Sequence, residues 1–402
     1  MTFLFKLKLE IILLLTAAMT SCVLIRPNKF KKSLKKTALI SRNFNETIKF
    51  NYKTWIYIKA KINNSEKQDE FIFDTGSPCT FSFKTKNDLK LVTKRLFHLG
   101  SYKVDYGFTN AEIGNIKYDN LAFLIMDHGL FNRPNTAGII GVNAVQSAIC
   151  EINFKDTTIT ISDTISNFKN ITNAYKIKFK PLSSQQTPVI KLLINSKDTI
   201  TAFIDTGEPE FIQFNQNFDL KMVKSEHPES VKTKYGNVNQ QGSKVKKDSI
   251  YEVSYVKLNS IKLGDLELNS PIIRRESYYK GKNLVGLDFL QNFIVTIDWV
   301  HQDLYLKSIQ NIPPISNIST YGFECYKFKG VLKVAELYKG SLAEKLGIKC
   351  GDEILEINNQ DVQKIDKHFI EIINNPLPND MEILIKFKNK DKEINLKKTT
   401  IF

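Results

Sequence analysis

FIFDTGSPCTF, residues 71–81, has a near copy in AFIDTGEPEFI, residues 202–212. Each runs a short apolar stretch, the pattern of a buried strand, straight into Asp-Thr-Gly. With the copies in register, their surroundings match too. Upstream, IKAKINNS at 58–65 faces IKLLINSK at 190–197, and both place alternating apolar residues before an Asn/Ser turn, which predicts hairpins. Downstream, GIIGVNAVQSAICEINF at 138–154 faces NLVGLDFLQNFIVTIDW at 283–299. Each has two aliphatic residues, a Gly, room for a helical turn and an alternating strand. A further hairpin follows in both, Ile159 and Ile161 matching Leu304 and Leu306, and EIGNIKYDNLAFLI at 112–125 parallels KLGDLELNSPII at 262–273.

The expected architecture is therefore mainly β: a first lobe at 46–170 and a second at 171–311, duplicates related by a pseudo-twofold axis. The second lobe carries a longer polar insert at 221–248, expected as a mobile surface loop. Its 402 residues suffice for two or three domains, and 42% hydrophobic with 25% charged residues is an ordinary globular composition. The net charge of +15 is spread widely, with denser clusters only at KFKKSLKK, 29–36, and KVKK, 244–247. We read it as compositional bias and expect no nucleic-acid partner.

Lys6 and Lys8 precede IILLLTAAMTSC, a run too short to span a bilayer comfortably, so residues 1–22 read as an export signal. Met19-Thr20-Ser21-Cys22 resembles the end of a bacterial lipoprotein signal, which implies lipidation of Cys22 and an exported protein anchored to a membrane of the cell envelope. Residues 23–45 then form a basic tether near anionic headgroups. Ordinary signal cleavage with secretion is the other reading. Cys79, Cys150, Cys325 and Cys350 lie in no paired spacing and read as buried free thiols. The five histidines are scattered, so no metal site is expected, and no cofactor.

Two carboxyls brought together by the duplication, Asp74 and Asp205, cannot both ionise cheaply and would hold one proton between them. The ionised member takes a proton from water while the other donates to a carbonyl oxygen, which is general acid/base amide hydrolysis. Thr75 and Thr206 are placed to bond across the lobes, Gly76 and Gly207 to let backbone amides approach the carboxyls, and the Ser77 hydroxyl to donate to Asp74. Taken together, the motifs resemble an aspartic protease built from retropepsin-like lobes joined in one chain. FDTGS and IDTGE carry that resemblance with Ile139-Ile140-Gly141 and Leu284-Val285-Gly286, and it spans residues 46 to 310. It implies catalytic Asp74 and Asp205, Ile140, Gly141, Val285 and Gly286 supporting the Asp loops, a peptide or protein substrate, and a chain that has no catalytic need to dimerise and is expected as a monomer. Glu208 departs from the Ser, Thr or Ala usual there, putting a third carboxylate near the pair. Tyr106-Gly107 and Tyr235-Gly236 are candidate flaps, or ordinary aromatics beside turn glycines.

After NIPPISN the pattern changes. TYGF at 320–323 and GVLKVAELYKGSLAEKLGIKCGDEILEINNQDV at 330–362 resemble a PDZ domain, placed at 312–402. A short helix is expected from Ser341, another at 364–374, and closing strands from EILIKFKN and EINLK. The resemblance implies an α/β fold that receives peptides beside the TYGF strand, at Tyr321, Gly322 and Phe323. A module that merely braces the lobes is the other reading. The functional expectation is an exported aspartic endopeptidase assisted by its PDZ domain. The alternative is a noncatalytic lipoprotein that binds peptides or envelope partners.

Overall fold

The computed structural model describes residue 34 and residues 38–99, 102–126, 136–183, 185–220, 231–237, 250–277, 279–309, 318–328, 330–365, 367–374, 381–390 and 392–400. The signal segment, Cys22 and NIPPISN lie outside them. The described chain is mainly β.

Ile56–Ile62 alternates, burying Ile56, Ile58, Ala60 and Ile62, and forms a hairpin with Asp69–Asp74. Phe71, Ile72 and Phe73 are all buried, as a strand covered on both faces requires. Gly138–Gly141 lies parallel to this strand and sets Gly141 opposite Asp74, while Thr80–Phe81 pairs antiparallel with its other edge and parallel with Ile116–Met126. The second lobe repeats every step. Pro188–Ile194 and Asp198–Ile204 form the hairpin, and Asn283–Val285 lies parallel to the latter. Ile212–Phe214 pairs antiparallel with Asn283–Val285 and parallel with Ile272–Glu276.

Six described strands join the lobes in one sheet: Tyr175–Lys178, Asp303–Ser308, Phe293–Asp298, Ile149–Asn153, Thr158–Ser162 and Asn45–Lys49, in that order. At its centre Ile149–Asn153 pairs antiparallel with its own duplicate, Phe293–Asp298, so Glu151 faces its equivalent Thr296. Thr296 Oγ1 donates to Glu151 Oε2 at 3.0 Å. Apolar side chains of both lobes merge into one core.

Three expectations change. Part of the 23–45 segment is built into the first lobe: Ala38–Leu39 pairs with Tyr118 and Asp119, and Leu34 is buried against Val104 and Ala122. The 221–248 insert is not wholly a surface loop, because Val231–Asn237 is a strand paired on both sides, with Ile250–Lys257 and with Val331–Tyr338 of the C-terminal domain. Neither flap candidate is a free hairpin tip. Gly107 sits in Tyr102–Ile113 between Thr93 and Phe123, and Gly236 pairs with Tyr251 and Glu336.

Elements of the C-terminal domain fall where expected. Ser341 caps Leu342–Lys345, its Oγ accepting from Glu344 N–H at 3.2 Å, and Glu353–Ile357, Lys367–Asn374, Glu382–Phe387 and Ile394–Lys397 follow. The domain is docked on the second lobe by Lys234, which is only 2% exposed. Its ammonium pairs with Glu324 and, at 2.6 Å, with Glu336, and it sits 5.3 Å from the Tyr255 ring and 5.5 Å from the Tyr338 ring. Burial alone would favour loss of its proton, but Glu324, the two tyrosines and Glu336 hold its pKa well above the ordinary lysine value. Lys234→Met would leave two buried carboxylates without their cation. We expect a loss of roughly 3–5 kcal/mol in urea unfolding, much of it recovered when Glu324→Gln and Glu336→Gln are added; a change below ~1 kcal/mol would mean the cluster is not what holds the docking together.

Candidate functional site

Each lobe ends its second hairpin strand at an aspartate, and the seam brings the two together. Asp74 and Asp205 hydrogen-bond carboxyl to carboxyl. The loops that carry them are tied reciprocally. Thr75 N–H donates to Thr206 Oγ1 at 3.0 Å and Thr206 N–H to Thr75 Oγ1 at 3.1 Å, while the hydroxyls donate to Ile204 O at 2.8 Å and Phe73 O at 2.9 Å. Both threonines are fully buried, so every one of these groups needs its partner.

Gly76 N–H donates to Asp74 Oδ1 at 2.7 Å and Gly207 N–H to Asp205 Oδ1 at 2.8 Å. Each glycine also backs the other lobe's carboxyl: a Cβ on Gly76 would fall on the Asp205 carboxyl, and one on Gly207 on that of Asp74. Below the loops, Ile140 and Val285 are fully buried. A Cβ on Gly141 would meet Ser77 O, and one on Gly286 would meet Glu208 and Glu210 carbonyls, so both crossings need glycine. Val142 N–H donates to Ser77 O at 2.9 Å, and Leu287 N–H to Glu208 O at 2.8 Å.

Two side chains missed in the sequence brace these loops from opposite lobes. Trp55 Nε1 donates to Gly207 O at 2.8 Å, and Gln185 Nε2 donates to Gly76 O at 2.5 Å. The only signal was that Trp is rare in the chain. Ser77 differs from expectation: its backbone N–H bonds Asp74, but its hydroxyl donates to Pro78 O at 3.1 Å.

Burial raises the pKa of Asp74, and burial together with the neighbouring Asp74 charge drives Asp205 well above the ordinary value. Asp74 is 8% exposed. Such a pair retains a proton where isolated carboxyls have lost theirs, and so offers a proton donor beside a proton acceptor.

Glu208, the third carboxyl, has a local task. In the first lobe, Asn143 Oδ1 accepts from Cys79 N–H at 2.7 Å. The equivalent of Cys79 is Glu210, and its N–H donates to Glu208 Oε1 at 3.2 Å. Glu208 thus closes its own loop, standing in for the asparagine. Burial pushes it up to about 7, against the Glu210 N–H bond that favours its charged form.

Cys79, Cys150 and Cys325 are buried free thiols, and Cys350 is half-buried. Among the described residues no group of three His, Cys, Asp or Glu side chains is placed to hold a metal, and no helix is long and apolar enough to cross a membrane. In the C-terminal domain the three residues assigned to peptide binding are buried. The Tyr321 hydroxyl donates to Met381 O at 2.8 Å, Phe323 lies in the core, and Gly322 N–H donates to Thr320 Oγ1 at 3.0 Å.

Residues 333–386 match the PDZ domain family. That match lies wholly within the C-terminal domain, whose family mode is strand addition by peptides. A comparison with curated proteins found no match to the chain.

Because the folded pKa of Glu208 lies above its ordinary 4.5, its contribution to stability is complete below about 4.5 and is lost as pH rises through about 7. Glu208→Gln keeps the oxygen that caps Glu210. The variant is expected to gain on the order of 2 kcal/mol over the parent between pH 4.5 and 8 in thermal melts. Parallel melting curves across that range would contradict the assignment.

Proposed function

We propose that the chain is an aspartic endopeptidase, exported, lipid-anchored through Cys22 and aided by its PDZ domain in holding peptide substrates. The observation that carries this reading is the Asp74–Asp205 pair, Asp74 buried and Asp205 half-buried, held by symmetric bonds from two duplicated lobes. The pair holds one proton between two near-equivalent carboxyls, so a cycle can start with Asp205 protonated and Asp74 ionised. A water between the carboxyls and a peptide carbonyl loses its proton to Asp74 as its oxygen bonds to the carbonyl carbon, and Asp205 protonates the carbonyl oxygen. Collapse of the tetrahedral species breaks the C–N bond. The leaving nitrogen takes the proton held by Asp74, and a hydroxyl proton returns to Asp205, which restores the starting state.

Glu208 is compatible with this chemistry below about pH 7, where it is mostly neutral. Its ionisation adds a third negative charge, which sets an alkaline limit to activity. A randomised peptide library incubated with the protein from pH 3 to pH 8 tests the reading. We expect cleavage that falls as pH passes about 7, and Asp74→Asn or Asp205→Asn each to reduce it by at least about 10³-fold. Cleavage that survives both substitutions contradicts the aspartic mechanism. Binding without cleavage at any pH favours a noncatalytic peptide-binding lipoprotein.

A further inference from the structure

Among the described residues one strand edge of the PDZ domain pairs with no other strand, and a side chain stands on it. Phe323–Phe328 pairs along one side with Val331–Tyr338. Its other side is where an extended polypeptide would join the sheet. At Cys325 both backbone groups facing that side are taken. Cys325 N–H donates to Asn374 Oδ1 at 3.0 Å, and Asn374 Nδ2 donates to Cys325 O at 2.8 Å. A single carboxamide thereby reproduces the exchanged pair of bonds that an antiparallel strand residue would make. Asn374 ends the helix Lys367–Asn374, so this contact ties helix to strand.

The same asparagine lines a cavity of about 330 Å³. Glu324 and Tyr326, the neighbours of Cys325, form its PDZ wall; Thr54 of the first lobe and Glu210 and Asp288 of the second form others. The volume fits a few side chains, and the walls mix charges of both signs with tyrosine rings. That lining suits a polypeptide with its own donors and acceptors better than an apolar small molecule.

We infer that Asn374 is a displaceable stopper on a composite polypeptide site, made of the free edge of Phe323–Phe328 and the cavity the PDZ domain shares with both lobes. An extended segment pairs with Cys325 once the carboxamide swings off, and its continuing residues occupy the cavity. The exchange replaces two hydrogen bonds with two others, so the stopper lowers affinity without abolishing binding. The inference rests on the PDZ domain and its docking, not on the aspartates, and stands whether or not the chain cleaves peptides.

The test measures fluorescence anisotropy of the full chain with two labelled randomised peptide pools, five and twelve residues long. Asn374→Ala is expected to bind the longer pool about tenfold tighter than the parent, the scale of one or two hydrogen bonds released. Adding Thr54→Trp, which fills the cavity from an exposed position, should remove most of that gain for the longer pool and little for the shorter. Asn374→Asp, which keeps the acceptor but repels Cys325 O, should act in the same direction as alanine and serves if alanine impairs folding. Amide exchange provides a readout without ligand: Cys325 N–H should exchange at least about tenfold faster in Asn374→Ala, which removes its acceptor, with Val334 unchanged. A folded variant that binds no tighter, or a folded Asn374→Ala in which Cys325 stays protected, overturns the stopper. A Thr54→Trp change without effect on the longer pool overturns the composite site.

Discussion

Two carboxyl groups largely withdrawn from water side by side at a seam are costly to a fold, and most of this structure around residues 74 and 205 offsets that cost. Desolvation and mutual repulsion are relieved by a retained proton and by four backbone N–H groups, from Gly76, Ser77, Gly207 and Glu208. Those amides are aimed correctly only because Thr75 and Thr206 lock each loop to the other lobe's strand. The loops in turn cross above Gly141 and Gly286, where no larger residue fits. Neither lobe completes the arrangement alone. The paired strands through Glu151 and Thr296 hold the lobes in the one relation that aligns them.

Docking of the PDZ domain follows a similar logic with opposite charges. Lys234 is buried because two carboxylates and two tyrosine rings surround it, and those groups come from both sides of the junction. The domain is therefore continuous with the second lobe's sheet through Val231–Asn237, rather than joined to it only by a linker. Its free strand edge faces a cavity walled by the lobes, so binding there and the geometry of the lobes share residues. Glu210 illustrates the link: it lines that cavity, pairs with Arg274 at 3.3 Å, and has its N–H capped by Glu208 in the Asp205 loop.

The duplicated strand, Asp-Thr-Gly and aliphatic-Gly segments were legible in the sequence because each appears twice, and so were the PDZ elements, because their glycine turns and helix cap are local signals. What the sequence hid was decided by tertiary contact. VKTKYGN reads as polar loop, and only the PDZ strand beside it turns Lys234 into a buried residue. Asn374 at a helix end reads as an ordinary terminator. The task of Glu208 emerges only when Glu210 is matched with Cys79 and its missing asparagine partner is noticed. Ser77 departs from expectation because its hydroxyl donates to Pro78 O, a local backbone acceptor.

The central claim is that Asp74 and Asp205 share a proton. The direct measurement is a titration followed by carboxyl carbon NMR with labelled aspartate, on the parent and on Asp74→Asn. The account predicts two well-separated steps for the pair, the upper one clearly above the ordinary aspartate range, and the loss of that separation once one partner is removed. Two aspartates that titrate together near 4, unchanged by the substitution, would contradict it.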